Sequence, residues 1–390
     1  MSAGITSQER QILDWLAAQN EAMQDMLASL VNTDSGSYNK TGVDRVGETI
    51  CRFLDVHGVS YDVIQNARFG NAIRASVGTP GDRNVLLMGH RDTVFADGEA
   101  KRRPFRAEGT RAFGPGVADM KAGLVMNCFV TAALKKFVGA PAPVVTLLTA
   151  DEEIGSPSSR AIIEQEARCA RLVLNAEPGR PENSVVIGRK AGIFMRFQVA
   201  GKAAHAGANF DQGASAIGEM AHKIVALHAL TDLTKGITVN VGVVSGGQTV
   251  NTVAPSASGE IDLRYIDPGD RGIVLRKIED IMAHSTIPGT SSEFEIYAEF
   301  LPLVQTQESK GLFALYADCG RALGATITGI FTGGCSDAGF SAAVGTPTLC
   351  AVGPIGARTH SPDEYVELES IVPRAQILAL TIMRSAEHFH

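Results

Sequence analysis

Cysteine is scarce in this sequence of 390 residues, and the six cysteines lie far from one another, at Cys51, Cys128, Cys169, Cys319, Cys335 and Cys350. No Cys-x-x-Cys pair occurs, so the spacing indicates neither a thiolate zinc site nor a disulfide framework. Reduced thiols inside a cell are the simplest interpretation.

An excess of positive charge is also missing. The 42 acidic residues outnumber the 35 basic residues, and the net charge is −7. That balance argues against nucleic-acid binding, which depends on the neutralisation of phosphates by basic side chains. The N-terminus lacks the basic-then-apolar pattern of a secretory signal, and no apolar run approaches the roughly 18 residues of a membrane span. We therefore expect a cytoplasmic protein without a nucleic-acid or membrane partner.

What the sequence does contain is typical of an ordinary globular protein, since 45% of its residues are hydrophobic and 20% are charged. The length leaves room for two or three domains. No fixed-period repeat and no low-complexity segment is present. The domain organisation therefore has to be inferred from the patterns of apolar residues along the chain.

Strand and helix patterns alternate in the first half of the chain. Apolar residues at helical spacing predict a helix over residues 7–31 and a second one over 43–56. Short apolar runs predict buried strands at 85–88, 144–148 and 172–174, separated by further helical segments. This alternation predicts an α/β fold with a mixed, mainly parallel sheet covered by helices.

The pattern changes near residue 190. From there to residue 301 the order of predicted elements is β-α-β-β-α-β, which is the ferredoxin-like arrangement. The α/β pattern then resumes and continues to the end of the chain. We therefore expect one domain formed by residues 1–189 and 302–390, and a smaller α+β domain inserted at 190–301. Glycine and proline near both junctions suit hinges or linkers.

Three consecutive acids, Asp151, Glu152 and Glu153, follow the predicted strand at 144–148. They would repel one another unless a cation lies among them, and a divalent metal turns that repulsion into coordination. In open α/β sheets, ligands bind outside the carboxyl ends of the strands, which is where these acids lie. The alternative is a solvated turn or a helix N-terminus, where acidic residues are also favoured.

Five potential metal ligands lie at predicted strand ends or in adjoining loops: His90, Asp119, Glu153, Glu177 and His360. Taken singly, each has a simpler explanation as a surface histidine, a helix cap or a turn residue. Together, two imidazoles and three carboxylates suit zinc, and also cobalt or manganese. They exceed the ligands of one tetrahedral zinc ion, so we expect two ions with a bridging carboxylate.

Two more acids fit functions around this predicted metal site. Asp92 lies two residues beyond His90, where it can accept the second imidazole proton and orient the ring. Glu152 adjoins Glu153, and neighbouring side chains are expected to point in different directions, one to the metal and one to the attacking water. Glu152 is therefore the predicted general base.

Six motifs occur in an order that resembles the aminoacylase/carboxypeptidase family of co-catalytic zinc metallopeptidases: GHRDTV, GPGVADMKAG, TADEEIGS, NAEPG, GKAAHAG and RTHSPDEYV. The resemblance covers the chain from about residue 30 to residue 385, and it is strongest to the glutamate carboxypeptidases of the folate-cleaving type. It implies two zinc ions per subunit with Asp119 as the bridge. His90 and Glu177 would complete the coordination of one ion, and Glu153 and His360 that of the other.

The resemblance also implies that the inserted domain is a lid through which two subunits form a homodimer. His205 would stabilise the oxyanion in the partner's site, and Asn251 would contact the substrate across the dimer. Arg264 would bind a substrate carboxylate, and the backbone at Gly333 and Gly334 would approach the substrate closely. From spacing alone, the favoured interpretation of His205 is a loop histidine, and that of Arg264 is a solvent-facing strand residue.

Two parts of the sequence depart from the family pattern or have no assigned function. The residues Cys335 and Ser336 stand where family members often have a third glycine or a threonine. Lys190 either binds a carboxylate or caps a strand.

The resemblance implies hydrolysis of an amide bond beside a free carboxylate, with release of a C-terminal glutamate. Glu177, where tripeptidases and dipeptidases of the family usually have aspartate, disfavours a peptidase that needs a free amino terminus. The alternative is an N-acyl amino-acid deacylase of the acetylornithine deacetylase or succinyl-diaminopimelate desuccinylase type. A non-catalytic dimeric binding protein is a further alternative, but the five ligands and Glu152 are all present.

Overall fold

The computed structural model describes residues 4–81, 83–137 and 143–389 and divides the chain into two compact units. The larger unit comprises Met1–Gly188, Gln305–Thr332 and Ser336–His390, and the smaller unit comprises Arg189–Val304 with Gly333–Cys335. Within the smaller unit, the Arg189 guanidinium donates to the carbonyl oxygens of Gly334, at 3.1 Å, and Cys335, at 3.3 Å. These hydrogen bonds attach the short segment 333–335 to the smaller unit.

The chain of the larger unit alternates helices and strands before it enters the smaller unit. The helices are α1 (Ser7–Ala17), α2 (Asn20–Val31), α3 (Lys40–Val56), α4 (Glu99–Arg102), α5 (Ala122–Phe137) and α6 (Arg160–Arg168). The strands are β1 (Ser60–Ile64), β2 (Ala72–Val77), β3 (Asn84–His90), β4 (Arg106–Glu108), β5 (Arg111–Phe113), β6 (Val144–Thr149), β7 (Ala170–Asn175) and β8 (Ser184–Arg189).

The N-terminal segment 7–31 forms two helices, α1 and α2, and the prediction of one continuous helix is wrong. Ala18 closes α1, with its backbone N–H directed at the Asp14 carbonyl oxygen. Leu16 and Met23 on either side of the break are both fully buried. The apolar spacing therefore continues across the break and does not reveal it.

The smaller unit has the β-α-β-β-α-β order that the sequence predicts. Its elements are β9 (Ala191–Ala200), α7 (Ala216–His228), β10 (Thr238–Gly246), β11 (Ser256–Tyr265), α8 (Pro268–Ala283) and β12 (Ser291–Phe300). The strands form an antiparallel sheet in the order β10-β11-β9-β12. Alternate side chains of β9, such as Met195 and Phe197, are fully buried in a core that also includes Met220 of α7 and Ile278 of α8.

After the smaller unit the chain returns to the larger unit and completes it. The remaining elements are α9 (Gln307–Ala322), β13 (Thr328–Thr332), α10 (Ala338–Ala343), β14 (Thr348–Cys350), β15 (Gly356–Ala357), β16 (Tyr365–Glu367) and α11 (Ile371–His388). A small antiparallel sheet in the order β15-β16-β5-β4 pairs Tyr365 with Phe113. This pairing brings the loop before β16 close to the loop after β5.

An eight-stranded sheet in the order β1-β2-β6-β3-β7-β14-β8-β13 forms the centre of the larger unit. Its inner strands β6, β3, β7 and β14 run parallel, and antiparallel pairings flank them. The predicted mixed α/β sheet is confirmed. His90 at the end of β3 pairs with Thr149 at the end of β6, so the residues that follow these strands emerge at the same edge.

Helix α5 is the most deeply buried helix of this core. Every residue from Ala122 to Leu134 is buried. Among the described residues, the segment Val117–Phe137 is long and apolar enough to span a membrane by length and composition, but 94% of its most apolar window is buried inside the protein. A core helix has these properties. None of the six cysteines, all of which lie in described residues, forms a disulfide.

Candidate active site

The last residue of β3, His90, is at the centre of a cluster of acids. Its ring is buried, and Nε2 lies 3.2 Å from Asp119 Oδ1 and 3.7 Å from Glu177 Oε1. The other ring nitrogen, Nδ1, lies 3.0 Å from the Asp92 carbonyl oxygen and 3.4 Å from Asp92 Oδ1. The backbone oxygen of Asp92 is thus the closer acceptor for the second imidazole proton.

A second group of candidate ligands adjoins the first and shares one residue with it. His360 Nε2 lies 3.4 Å from Asp119 Oδ2 and 3.3 Å from Glu153 Oε2. Ligand atoms of His90, Asp119 and Glu177 lie within 4.8 Å of one another, as do those of Asp119, Glu153 and His360. The structure therefore brings all five predicted ligands together, with one oxygen of Asp119 directed to each histidine.

The turn that carries Asp119 is held by a buried acid that the sequence analysis did not single out. Glu364 Oε1 accepts the backbone N–H groups of Ala118 and Asp119, both at 2.9 Å, and Oε2 accepts that of Gly116 at 3.1 Å. Because Glu364 follows His360 by four residues, one carboxylate links the two loops that carry Asp119 and His360. The Asp119–Met120 peptide bond in this turn is cis.

Asp92 anchors the loop that carries the two adjacent glutamates. Its carboxylate accepts the backbone N–H groups of Glu152 and Glu153, both at 3.1 Å. It also accepts the hydroxyl of Ser37, at 2.7 Å, which is a second contact that the sequence analysis missed. Asp92 is fully buried, so these hydrogen bonds are shielded from water.

Glu152 and Glu153 direct their carboxylates to different parts of the cluster. Glu153 contacts His360, whereas Glu152 Oε2 lies 4.0 Å from His90 Nε2 and belongs to neither group of candidate ligands. A further buried acid, Asp337, accepts hydrogen bonds from Ser156 and from Thr149, the residues at the two ends of this loop. The loop is thus fixed at its ends by Asp337 and at its centre by Asp92.

Burial and mutual repulsion shift the pKa values of the acids that flank the cluster. Burial, with repulsion from Glu177 and Asp337, raises the pKa of Glu152 well above its usual range, although His90 opposes the shift. Burial and the charge of Asp119 raise the pKa of Glu153 to about 7. Both glutamates are thus driven toward the protonated form when no cation balances the cluster.

The pKa values of the two histidines and of Asp119 shift in the directions expected of paired charges. Burial opposes the charge of His90, but its contacts with Asp119 and Asp92 raise its pKa well above the usual value. Hydrogen bonds to Asp119 and Glu153 raise the pKa of His360 to about 10. Burial also opposes ionisation of Asp119, yet both histidines hold its pKa well below the usual range.

These residues fit a pair of divalent cations. Each group offers one imidazole nitrogen and two carboxylate oxygens, a donor set that zinc accepts. The Oε1 atom of Glu153 is buried without a hydrogen-bond partner, which a buried carboxylate oxygen rarely lacks. Two divalent cations would supply the positive charge that this cluster of carboxylates needs.

The predicted residues His205 and Asn251 lie in the smaller unit, on two loops that are hydrogen-bonded to each other. The Ala206 N–H donates to the Asn251 carbonyl oxygen at 2.9 Å, and the Val253 N–H donates to that of Ala204 at 3.0 Å. His205 Nδ1 accepts the N–H groups of Gly207 and Ala208, both at 3.1 Å. The proton of the neutral ring therefore lies on Nε2, which leaves a donor on the exposed side chain.

Arg264 of the smaller unit already has an acidic partner. Its guanidinium forms a two-point ion pair with Asp262, at 2.6 and 3.0 Å, and Nη1 donates to Cys335 Sγ at 3.1 Å. A substrate carboxylate at Arg264 would therefore share the guanidinium with Asp262. A Cβ atom added at Gly333 would meet no atom within 4 Å, so packing within the chain does not require a glycine there.

Gly334 and Lys190 contact other residues of the smaller unit. The Gly334 carbonyl oxygen accepts from Arg189, as described above. Lys190 Nζ donates to the Gly236 carbonyl oxygen at 2.7 Å. This hydrogen bond favours the structural alternative for Lys190 over a carboxylate-binding function.

Comparison with known proteins identifies a matching family model and similar proteins of two kinds. The model of "Peptidase family M20/M25/M40" matches residues 86–384. Carboxypeptidase G2 of Pseudomonas sp. (strain RS-16) is 29% identical over 97% of this chain and 93% of its own length. Acetylornithine deacetylase of Proteus mirabilis (strain HI4320) is 25% identical over 92% of this chain and 95% of its own.

A solved structure supports the same fold. An M20 family metallo-carboxypeptidase from Sulfolobus solfataricus superposes with a TM-score of 0.79 at 16% identity, covering 93% of this chain and 98% of that one. At this identity the likeness concerns the fold alone. The mixed α/β architecture and the family resemblance expected from the sequence are both confirmed.

Proposed function

The chain belongs to the peptidase family M20/M25/M40, and we propose that within this family it is a glutamate carboxypeptidase, which hydrolyses the amide bond next to a free carboxylate. Family membership and the candidate ligand groups make the chain a hydrolytic enzyme with two zinc ions as its cofactor, rather than a non-catalytic binding protein. Carboxypeptidase activity is supported by the 29% identity to a carboxypeptidase over nearly the whole chain, and glutamate as the released residue is what the motif resemblance implies.

The observation that carries the hydrolytic proposal is the position of Asp119, with one oxygen directed to each histidine. We assign His90 and Glu177 with Asp119 to one zinc ion, and Glu153 and His360 with Asp119 to the other. Two bound zinc ions would polarise the scissile carbonyl and lower the pKa of the attacking water. The hydrogen bonds of Asp92 and Glu364 would keep the ligands in place as the substrate enters.

Glu152 is the residue we assign as general base. It is buried beside the candidate ligands and is not needed to complete either group. As a carboxylate it would take a proton from the attacking water and then deliver that proton to the leaving nitrogen. Asp92, through its contacts with His90 and with the backbone N–H of Glu152, would orient one metal ligand and the base.

For the smaller unit we propose the functions that the family resemblance implies. The chain would form a homodimer through this unit, and the Nε2–H of His205 would donate to the oxyanion in the partner's site. Asn251, which is fixed to the same pair of loops, would contact the substrate there. Arg264 would bind a substrate carboxylate, and Gly333 and Gly334 would let the backbone approach the substrate.

Mixed dimers of two inactive variants test the function of His205 across the dimer. We expect Glu152→Gln and His205→Ala each to keep no more than about one per cent of wild-type activity, and a random mixture to recover about a quarter of it. Half of the dimers would be mixed, and each of those would contain one site with an intact base and an intact partner histidine. Absence of any recovery in verified mixed dimers would place His205 at its own subunit's site, or at none.

A second candidate function is the deacylation of N-acyl amino acids. It is favoured by the 25% identity to acetylornithine deacetylase, which also covers most of both chains. Both functions use the same zinc ligands and general base, and they differ in which side of the amide bond is recognised. The expected cytoplasmic localisation stays a prediction in either case.

Initial rates on two substrates distinguish these candidates. The zinc-loaded protein is given an aromatic N-acyl-glutamate or Nα-acetylornithine, with chelator-treated protein as the control. We expect faster cleavage of the acyl-glutamate and loss of that activity on chelation. Faster cleavage of acetylornithine would contradict the carboxypeptidase proposal and favour the deacylase, with the metal site unchanged.

A further inference from the structure

A cavity of about 460 Å³ opens beside Glu153 in the larger unit. Three segments of the chain form its walls: residues 36–39, residues 93–97, and the pair Glu153 and Ile154. Since Glu153 is also a candidate metal ligand, the cavity lies next to the atoms that would carry out hydrolysis. A substrate held at the metal site would therefore place one of its ends in or near this cavity.

The first two walls of the cavity are joined by hydrogen bonds. Gly36 and Thr93 form a β-bridge, and the Thr93 N–H donates to the Ser35 carbonyl oxygen at 2.8 Å. A Cβ atom on Gly36 would lie 2.6 Å from the Phe95 carbonyl oxygen, so this close approach requires glycine. At the rim, Asn39 Nδ2 donates to Asp97 Oδ1 at 2.6 Å. These contacts hold the shape of the cavity before any ligand arrives.

The third wall is fixed by a residue of the catalytic cluster. Asp92 accepts the Glu153 N–H with the same carboxylate oxygen that accepts the hydroxyl of Ser37, and Ser37 is part of the first wall. One buried carboxylate therefore positions both the candidate metal ligand and two walls of the cavity. A group bound in this cavity would be held at a fixed distance from the reacting centre.

The lining combines apolar side chains with acids. Tyr38, Val94, Phe95 and Ile154 supply the apolar surface, and the side chains of Tyr38 and Val94 are 72% and 44% exposed. The ionisable side chains among the lining residues are those of Tyr38, Asp97 and Glu153, and no lysine, arginine or histidine is among them. With Glu153 assigned to a zinc ion, Asp97 is the remaining acid among the lining residues, and no cationic side chain among them would pair with an anionic group. An uncharged apolar group would instead cover exposed hydrophobic surface.

We propose that this cavity is the subsite for the acyl group of the substrate, and that it selects an uncharged apolar acyl group over an anionic one. The inference rests on the proposed function, in which the leaving group carries the free carboxylate. Because the lining residues include Asp97 and no cationic side chain that would bind a carboxylate, the leaving group is assigned elsewhere and the acyl side is left for the cavity. Tyr38 and Val94 are then the residues that set the acyl specificity.

The test compares the kcat/KM values of three glutamate conjugates: N-benzoyl, N-acetyl and N-succinyl. We expect the wild-type enzyme to prefer the benzoyl group to both others. Tyr38→Ala should lower the ratio of benzoyl to acetyl by roughly tenfold through a higher KM, and Tyr38→Phe should restore it. Val94→Asp should lower the same ratio, and Val63→Asp, at a similarly exposed valine of β1 (40% exposed), should not.

The outcomes separate the two proposals. A benzoyl-to-acetyl ratio that stays unchanged in both Tyr38→Ala and Val94→Asp would overturn the subsite, as would a wild-type preference for the succinyl group. If the wild-type enzyme cleaves no glutamate conjugate, the glutamate assignment fails, and the same ratios are measured with benzoyl and acetyl derivatives of ornithine. If no conjugate of either amino acid is cleaved, both the proposed function and the subsite are overturned.

Discussion

The candidate site residues of the two units differ in how they are held. Of the five candidate ligands and Glu152 in the larger unit, all but His360 are buried or partly buried, whereas His205 and Asn251 of the smaller unit are exposed. Around the buried set, Asp92 and Glu364 accept five backbone N–H groups of the loops that carry the ligands and the base. In the smaller unit, His205 and Asn251 are held by contacts within and between their own two loops.

This difference separates two kinds of functional residue. Groups that must bind a metal need their geometry set before the metal arrives, and buried hydrogen bonds provide it. Groups that act on a substrate or on another subunit must stay accessible, as exposed loop residues are. Substitutions in the larger unit should therefore change metal binding or chemistry, and those at His205 should change catalysis alone.

Removal of the shared carboxylate should have the largest effect. We expect Asp119→Ala to lower bound zinc from two ions per chain to at most one, and to reduce turnover roughly ten-thousandfold. Zinc content by elemental analysis and kcat by initial rates are the measurements. Asp318→Ala, at an exposed aspartate of α9 paired with Arg321, is the control and should keep both values. Two tightly bound zinc ions in Asp119→Ala would contradict the bridging assignment.

Removal of the base should separate chemistry from metal binding within the same unit. We expect Glu152→Gln to lower kcat roughly a thousandfold while the zinc content stays at two per chain. Glu108→Gln, at an exposed glutamate of β4, should behave as wild type in both measurements. Turnover within tenfold of wild type would show that another group takes the proton.

His205→Ala should lower kcat roughly a hundredfold without changing zinc content or thermal stability. The physical reason is the loss of one donor to the oxyanion from an exposed side chain. The control is His222→Ala, which removes another exposed histidine of the smaller unit, on α7. A change in zinc affinity in His205→Ala would break the distinction between the units.

Asp92→Asn should weaken zinc binding roughly tenfold, because the amide keeps only one oxygen for the three hydrogen-bond donors that Asp92 accepts. Ser37→Ala removes one of these donors only and should have a smaller effect. Competition with a chelator of known affinity measures both. If the two variants bind zinc as wild type does, the hydrogen bonds of Asp92 do not set the ligand geometry.

The smallest effect on activity is expected from a substitution that changes the stability of the smaller unit. Buried Glu219 accepts the N–H groups of Thr286 and Ile287, at 2.9 and 2.8 Å, and pairs with Lys223. Burial acts to raise the pKa of Glu219, but these contacts hold it below the ordinary value of 4.5. The stabilisation is therefore present above pH 4.5 and is lost as the pH falls through the lower pKa of the folded state.

We expect Glu219→Gln to lower the free energy of unfolding by about 2 kcal/mol at pH 7. The difference from wild type should shrink when the pH is taken well below 4.5, where the wild-type carboxylate loses its charge. Urea unfolding at both pH values measures this, and kcat should change little. A difference that grows on acidification would contradict the direction of the pKa shift.

The sequence predicted the strand-end residues because parallel strands bring their carboxyl ends to one edge. His90 and Glu153 follow from this rule once β3 and β6 are identified. The loop residues Asp119 and His360 were also candidate ligands before the resemblance, but Asp119 as the bridge and His360 as a ligand of one particular ion came only from the family resemblance, since no spacing rule places one beside the other. The pairing of β16 with β5, which brings their loops together, involves strands too short to show an apolar pattern.

Residues that act through backbone hydrogen bonds were the ones missed. Glu364 lies inside a motif that was recognised, yet an acid that accepts N–H groups from a distant turn has no sequence signature. Ser37 also has no sequence signature, because its hydroxyl reaches Asp92 only after the chain segments 35–37 and 92–93 pair. Long-range contacts of this kind depend on the fold as a whole, and the ion pair of Arg264 with Asp262 likewise appears only in the structure.

The most direct test of the two-metal site is a zinc titration of chelator-treated wild-type protein. Bound zinc and hydrolysis of the acyl amino acid that the enzyme cleaves are measured in the same samples. The account predicts that two zinc ions bind per chain and that activity reaches its plateau only when the second is bound. Full activity with a single zinc ion per chain, and no second ion at higher concentration, would contradict it.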